Sequence, residues 1–308
     1  MLWRLKRKFR SVRDHATDWY AQTFLAPPRL MSMEETIKVI RESGCSICRF
    51  GDGEMDIMLG GPIFFQEPNA ALAERLRAVL ESRASGLLVA LPPIFGDLEY
   101  MTERARSYYH RYLPQSRFAW YKAIDRRRLY GNSFISRFYM DWRDKSHVQN
   151  ITQQLRTLWD ERDVVFIEGE ESRLGVGNDL FSNARSIRRI IGPKRNAFNS
   201  IGELLAAGSS VERDALIILA LGPTAKILAH SLHQLGYQAL DLGHVDIEYE
   251  WFRMGATEKV PVKGKFVSEA RSGDVVGSVD DPLYHSQIIC RVGSTGTLGP
   301  CGRFQGAP

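Results

Sequence analysis

Residues 214–251, DALIILALGPTAKILAHSLHQLGYQALDLGHVDIEYEW, decide the fold. Asp214–Leu221 is a short apolar run halted by Gly222-Pro223-Thr224. That length and those flanks read as a buried strand. A helix follows through Leu235, then a short strand over Gln238–Leu242 that leads into Gly243–Trp251. Working outward, Asp163–Glu168 is a second apolar strand, followed by a Gly-rich loop and a helix expected around Asn183–Ile191. Upstream, the reading gives a helix over Met33–Ser43 ended by Gly44, a strand over Cys45–Phe50, a helix over Ala70–Ser82, and a strand over Gly86–Leu91 stopped by Pro92-Pro93. Residues 95–148 are rich in aromatic and basic side chains and read as mainly helical. Strands alternating with helices predict an α/β, Rossmann-like fold: a mostly parallel sheet with helices on both faces.

The chain has 308 residues, 44% of them hydrophobic, enough to bury a large core without disulfides or a structural metal. Three segments are expected: a basic arm and linker over 1–28, closing on Ala26-Pro27-Pro28; a domain over 29–270; and a Gly-rich, flexible tail over 271–308. Arg4, Lys6, Arg7, Lys8, Arg10 and Arg13 against Asp14 supply the whole net charge of +5. The body is therefore neutral, which argues against a nucleic-acid partner. Leu2, Leu5, Phe9 and Val12 fall at helical spacing among those basic residues. Such a helix can lie in a membrane interface, so peripheral membrane contact through residues 1–24 is one reading. Packing on the domain or on a second subunit is the other. No stretch approaches the ~20 apolar residues of a membrane span, and a cytoplasmic protein is expected. Cys45 and Cys48 share a strand and point to opposite faces, so the CxxC spacing is read as core packing. Cys290 and Cys301 complete a set of four thiols expected to be free.

In a doubly wound sheet, ligands bind beyond the carboxyl ends of the strands. Four loops fall there. Arg49-Phe50-Gly51-Asp52-Gly53-Glu54 alternates glycines with carboxylates. Hard carboxylate oxygens suit Mg2+ or Mn2+, though Asp and Gly also make plain polar turns. Arg49 can pair with a phosphate or hold Asp52 or Glu54 in place. The second loop, Glu168–Asp179, is expected to precede a helix, where backbone N–H groups cradle phosphate. Its Gly175-Val176-Gly177 lacks the third glycine of a dinucleotide fingerprint. Gly222-Pro223-Thr224-Ala225-Lys226 is either a phosphate turn or an ordinary strand-to-helix turn. Gly243–Trp251 packs His244, Asp246, Glu248 and Glu250 into seven residues, either a catalytic cluster or a solvated helix start. The aromatic residues of 118–142 either stack on an acceptor sugar or belong to the core.

With those loops in place, the chain resembles the GT-D-type bacterial glycosyltransferases. The matching stretches are RFGDGEM (49–55), YGNSFISRFY (130–139), IEGEESRLGVGNDLFSNARSIRRI (167–190), ALGPTAKILAHSLHQLGYQALDLGHVDIEYEWF (220–252) and KVPVKGKFV (259–267). The resemblance implies a UDP-sugar donor, glucose being the best-known sugar. It also implies a divalent metal, Mn2+ or Mg2+, on the D-x-E motif that falls on Asp52 and Glu54. The acceptor expected for such an enzyme is a glycan, glycoprotein or lipid-linked one, an interfacial arm fitting a lipid-linked or surface-glycan acceptor. Nucleotide binding would fall on Glu170, Arg173, Gly175, Asn178 and Asp179 and on Gly222, Pro223 and Thr224, beside Arg49 and Gly51. His244, Asp246 and Glu248 are the residues expected to carry catalysis.

Overall fold

Val164–Ile167 and Leu216–Leu219 are wholly withdrawn from solvent, the burial of strands covered on two sides. They belong to a sheet seen in a computed structural model that describes residues 14–277 and 280–293. The arm over 1–13, including Leu2, Leu5, Phe9 and Val12, and the last residues of the tail lie outside the described residues.

Nine strands are described: Arg29–Leu30 (β1), Ser46–Arg49 (β2), Leu87–Leu91 (β3), Leu129–Asn132 (β4), Asp163–Gly169 (β5), Ser186–Gly192 (β6), Leu216–Ala220 (β7), Ala239–Asp241 (β8) and Ile288–Arg291 (β9). They form one sheet in the order β1-β4-β3-β2-β8-β7-β5-β6-β9. Every pairing is parallel, as the alternating pattern predicts. The described helices are residues 14–24 (α1), Met33–Ser43 (α2), Asp52–Met58 (α3), Ala70–Glu81 (α4), Glu103–Ala123 (α5), Val148–Arg156 (α6), Ile201–Gly208 (α7), Thr224–Gln234 (α8), Val245–Met254 (α9) and Pro282–Gln287 (α10). Boundaries follow local chemistry. Ser32 caps α2 and Glu35 reaches back to the Ser32 N–H, while Gly44 ends the helix at φ 63.

The helix expected over Asn183–Ile191 is a strand, β6. It pairs residue for residue with β5, from Asp163–Ser186 to Gly169–Gly192. β-branched Ile187, Ile190 and Ile191 suit it to the sheet. Arg188-Arg189 hid that pattern, because Arg189 is buried and ion-paired at 2.5 Å to the buried Glu168. The expected flexible tail is also corrected, since 282–291 forms α10 and then β9 on the edge of β6. Cys45 and Cys48 are free and buried as expected, whereas Cys290 is disulfide-bonded rather than a free thiol.

The chain reaches strand β2 at the middle of the sheet, and β3, β4 and β1 lie on one side of it. β8, β7, β5, β6 and β9 lie on the other, so the order switches between β2 and β8. Crossovers diverge there and leave a crevice at the carboxyl ends of the strands.

Candidate functional site

That crevice is a cavity of about 590 Å3. It takes walls from the loop after β2, from Gly169–Ser172 after β5, from Leu221-Gly222 after β7 and from Gly243-His244 after β8. α5 contributes Arg104, Tyr108 and Tyr109, and the 133–141 segment contributes Ser133, Phe134, Arg137 and Asp141. Lys259, Phe266 and Glu269 close it from the segment after α9.

Asp52 and Glu54 stand in the first turn of α3, where the helix dipole favours carboxylates. Glu54 is tied down: its Oε2 accepts from Gly51 N at 2.8 Å and its Oε1 pairs with Lys226 Nζ at 2.8 Å. Asp52 accepts through Oδ2 from the Tyr108 hydroxyl, and its Oδ1 takes no hydrogen bond among the described residues. The crowding of acids bears on Asp56 as well. Burial, then Asp52 and Glu54, push its carboxyl up to about 6. No group of three or more acidic, His or Cys side chains among the described residues makes a closed metal cage. One or two carboxylates shared with a substrate phosphate is the usual arrangement for a Mg2+-like ion. Asp52, with a free oxygen facing the cavity, fits that arrangement, and Glu54 beside it adds negative potential.

Arg49 lines the cavity, and its guanidinium is engaged by Asp241 rather than by Asp52 or Glu54. Its guanidinium pairs with Asp241 Oδ1 at 3.1 Å and also donates to Ser136 Oγ. Asp241 Oδ2 in turn accepts from Arg49 N at 3.0 Å and lies 3.4 Å from Lys226 Nζ. Arg49, Asp241, Lys226 and Glu54 thus form one largely buried chain of alternating charge along the cavity wall. Asp241 was not among the expected site residues, and Lys226 was expected only as part of a candidate phosphate turn. Lys226 had a signal, the lysine four residues past Gly222, but Asp241 sits inside an apolar strand with none.

The second loop corrects several expectations. It leads into strand β6, so no helix N-terminus cradles phosphate there. Arg173 turns away to the carbonyls of Gly264 and Gly277. Gly175 N and Asn178 Nδ2 both donate to Asp246 Oδ1. Asp179 accepts from the Tyr249 hydroxyl on the surface. Gly175, Asn178 and Asp179 are therefore braces for α9 and do not line the cavity. Glu170 does line it, with no bond to its carboxylate among the described residues. At the third loop Gly222 and Lys226 line the cavity; Pro223 and Thr224 are buried behind it. Gly222 has φ +53, and an added Cβ would stand 2.4 Å from the Phe65 ring, so glycine is required for two reasons.

Of the three expected catalytic residues, Asp246 lines the cavity but is saturated. Lys265 Nζ holds its other oxygen at 2.5 Å. Glu248 is not at the cavity at all. It is fully buried and accepts from Tyr139 N and Met140 N at 2.8 Å each, tying α9 to the segment that carries Arg137 and Asp141. Its solvent-free setting explains why it was misread: acids opening a helix usually face water. His244 does reach the cavity. It has φ 141, a conformation a non-glycine residue holds only under constraint, and its Nε2 has no hydrogen-bond partner. Burial first, then Arg137, Lys259 and Arg49 against the opposing pull of Glu269, bring it down to about 3. The ring is neutral. Glu269, 3.6 Å from it, would be raised by burial, but Arg137 and Lys259 hold it well below the usual range. Glu269 was missed because it lies beyond the matching stretches, whereas Arg137 and Lys259 lie inside them, in 130–139 and 259–267, with no motif of their own to mark them. Arg104 lines the cavity with no acidic partner among the described residues. In the 118–142 stretch, Trp120, Tyr121, Tyr130, Phe134 and Tyr139 are buried, and of these only Phe134 touches the cavity.

Glu248 gives a pH test. Burial first and Asp141 second push its carboxyl up to about 7 from 4.5. Between those values the unfolded chain binds fewer protons than the folded one, so stability falls as pH rises. Glu248→Gln removes this titration. Relative to wild type the variant gains roughly 3 kcal/mol across that window, read from urea melts at stepped pH. The difference between the two proteins cancels the His244 contribution, which has the opposite sign. A difference flat in pH would show that Glu248 is ionised in the folded protein throughout.

Comparison with known proteins bears on this site. A model of the glycosyltransferase GT-D fold matches residues 47–270. A probable glycosyl transferase, Gly, of Streptococcus gordonii is 40% identical over 264 residues, which is 85% of this chain and 39% of that protein. Glycosyltransferase GlyD of Streptococcus pneumoniae serotype 4 is 38% identical over 266 residues, 86% of this chain and 32% of that protein. The chain thus spans about a third of the length of these curated relatives. A solved structure described as domain of unknown function 1792 with a distinct glycosyltransferase fold superposes with a TM-score of 0.85 at 38% identity, over 90% of this chain and all of that one. A new glycosyltransferase from Streptococcus sanguinis superposes with a TM-score of 0.81 at 38% identity, over 86% of this chain and 99% of that one.

Proposed function

The chain belongs to the GT-D-fold glycosyltransferase family, and on that premise we propose that it moves a sugar, glucose first among candidates, from a UDP-sugar to a glycan, glycoprotein or lipid-linked acceptor. The observation that carries the reading is the juxtaposition of Asp52, with its free oxygen, and Arg104, with no acidic partner, across one cavity at the sheet's switch point. A nucleoside diphosphate is an anion that needs both. Arg104 supplies a fixed cation, and Asp52, with Glu54 beside it adding negative potential, would hold Mn2+ or Mg2+. When bound, that ion neutralises charge growing on the leaving diphosphate.

The chain's own residues account for the rest. Lys226 keeps Glu54 in place and brings positive charge to the cavity wall. Phe64, Phe65 and Phe266 give apolar cover near Gly222, suited to a base or sugar face. Glu170 offers free carboxylate oxygens to sugar or ribose hydroxyls. His244 Nε2, neutral and unpartnered, hydrogen-bonds a substrate hydroxyl. A ring held at about 3 is too weak a base to take a proton at neutral pH, so His244 orients rather than deprotonates.

The test is a panel of nucleotide sugars in thermal shift, each with Mn2+ and with chelator. A donor at one hundred times its Kd adds about 2.7 kcal/mol. The expected result is a rise in Tm with UDP-glucose that chelator abolishes, together with UDP release accelerated by acceptor. A rise with a non-uridine donor, or one indifferent to chelator, overturns the assignment. Binding without acceptor-dependent release would mark a non-catalytic binder or a nucleotide-sugar hydrolase.

A further inference from the structure

α1 is amphipathic in an unusual sense. One side is locked to the domain: Ala21 is fully buried, and Asp18, buried too, accepts from Arg117 Nε of α5 at 2.6 Å. The other side shows three large aromatic residues to solvent. Trp19 is 63% exposed, Tyr20 49% and Phe24 62%. They lean on one another, with ring centroids 5.8 Å apart for Trp19–Phe24 and 5.3 Å for Tyr20–Phe24. A helix serving only to pack on the domain would carry polar residues there. An exposed aromatic cluster on a docked helix marks a contact surface.

We propose that this face of α1 docks on an anionic lipid bilayer. Trp and Tyr settle at the bilayer–water boundary, where the ring body is apolar and the N–H or O–H stays wet. Charge selects the occupant. Arg4, Lys6, Arg7, Lys8, Arg10 and Arg13 precede α1 directly in the chain and hold the protein's whole positive excess. Anionic headgroups complement that run, whereas a second copy would bring two such runs together and repel. On α5, next in sequence to the Arg117 that holds Asp18, Phe118 is 39% exposed beneath Lys122, whose Nζ lies 4.7 Å from the ring centroid. Arg126 just beyond the helix donates to Ala26 O at 3.0 Å. The Asp18–Arg117 pair makes the attachment rigid, so a bilayer held by α1 is also held in fixed orientation to α5, whose other end lines the cavity.

The experiment is co-sedimentation of the full chain with vesicles of phosphatidylcholine alone or of equimolar phosphatidylcholine and phosphatidylglycerol, at low and high salt. Wild type should bind the anionic vesicles only, and less at high salt. Trp19→Ala/Tyr20→Ala/Phe24→Ala should keep the wild-type Tm and bind them about tenfold or more weakly. A single Trp19→Phe substitution guards against loss of fold in the triple variant. Quenching of tryptophan fluorescence by brominated lipid should drop in it. The proposal is overturned if the triple variant binds as wild type does, if quenching is unchanged in Trp19→Phe, or if the substitutions instead dissociate a dimer in sedimentation velocity. No sugar donor enters these readouts, so the outcome is independent of the transferase reading.

Discussion

Asp52→Asn should lower kcat/KM for UDP-sugar turnover by about 10^3-fold, equivalent to roughly 4 kcal/mol of transition-state stabilisation, while leaving Tm within a degree or two of wild type. The carboxylate is half-exposed at the head of α3 and carries one hydrogen bond from the protein, the one from Tyr108. An amide keeps the shape and keeps an acceptor for that hydroxyl. It loses the negative charge beside a bound diphosphate and its ion, and that loss is felt only as charge develops on the leaving group. Glu54→Gln is a different experiment. It also unpairs Lys226 Nζ from the helix head, so a fall in activity there would mix a site effect with a folding effect. Asp52→Asn separates them. Wild-type turnover under chelator-controlled metal would remove Asp52 from the site. A variant that restored activity at much higher Mn2+ would instead place the loss in ion affinity.

The sequence made the parallel sheet legible because its central strands are unbroken apolar runs between glycine turns, and such runs have few alternatives. The strands it hid are those with charge inside them or at the margin. Arg189 in β6 looks like a helix surface until its buried partner Glu168 is seen, twenty-one positions upstream and on the neighbouring strand. β9 follows a stretch of small and polar residues and finds its hydrogen bonds only because β6 leaves an open edge. Neither pairing is local, and local pattern cannot carry it.

The site divides in the same way. Asp52, Glu54, Gly222 and His244 were legible as residues at strand ends, since backbone order alone puts them at the mouth of the crevice. What could not be read was which polar atoms remain free. Asp246, Glu248, Asn178 and Arg173 carry the chemistry of a catalytic cluster, yet each is bonded to another part of the chain, and the atoms left over on Glu248 (Oε1) and Arg173 (Nε) belong to side chains that do not line the cavity. Arg104 had the opposite fate: nothing in its helical setting marks it, and it keeps no acidic partner among the described residues. Saturation is a property of the packed molecule and not of residue type.

The same reasoning sets the largest stability effect. Asp241 is buried at the end of β8 and serves two cations, Arg49 through Nη2 at 3.1 Å and Lys226 at 3.4 Å, besides the Arg49 N–H. Asp241→Ala leaves a buried guanidinium without its counter-charge, and breaking a buried pair on one side costs about 3–5 kcal/mol. Asp163→Asn is the control. It removes an ion pair to Arg185 that is partly exposed on both sides, where the expected loss is about 1 kcal/mol or less. Urea unfolding should place Asp241→Ala far below wild type and Asp163→Asn close to it. Equal midpoints for all three proteins would show that the Arg49–Asp241 pair adds nothing to folding. The double variant Arg49→Met/Asp241→Leu tests cause. With both charges gone no unpaired ion is left behind, so stability should recover in part. Turnover should not, because Lys226 then has only Glu54 to hold it and the charge pattern along the cavity wall is broken. Recovery of both together would mean that the buried chain of charges serves the fold alone, and that the cavity needs only Asp52 and the free cation on α5.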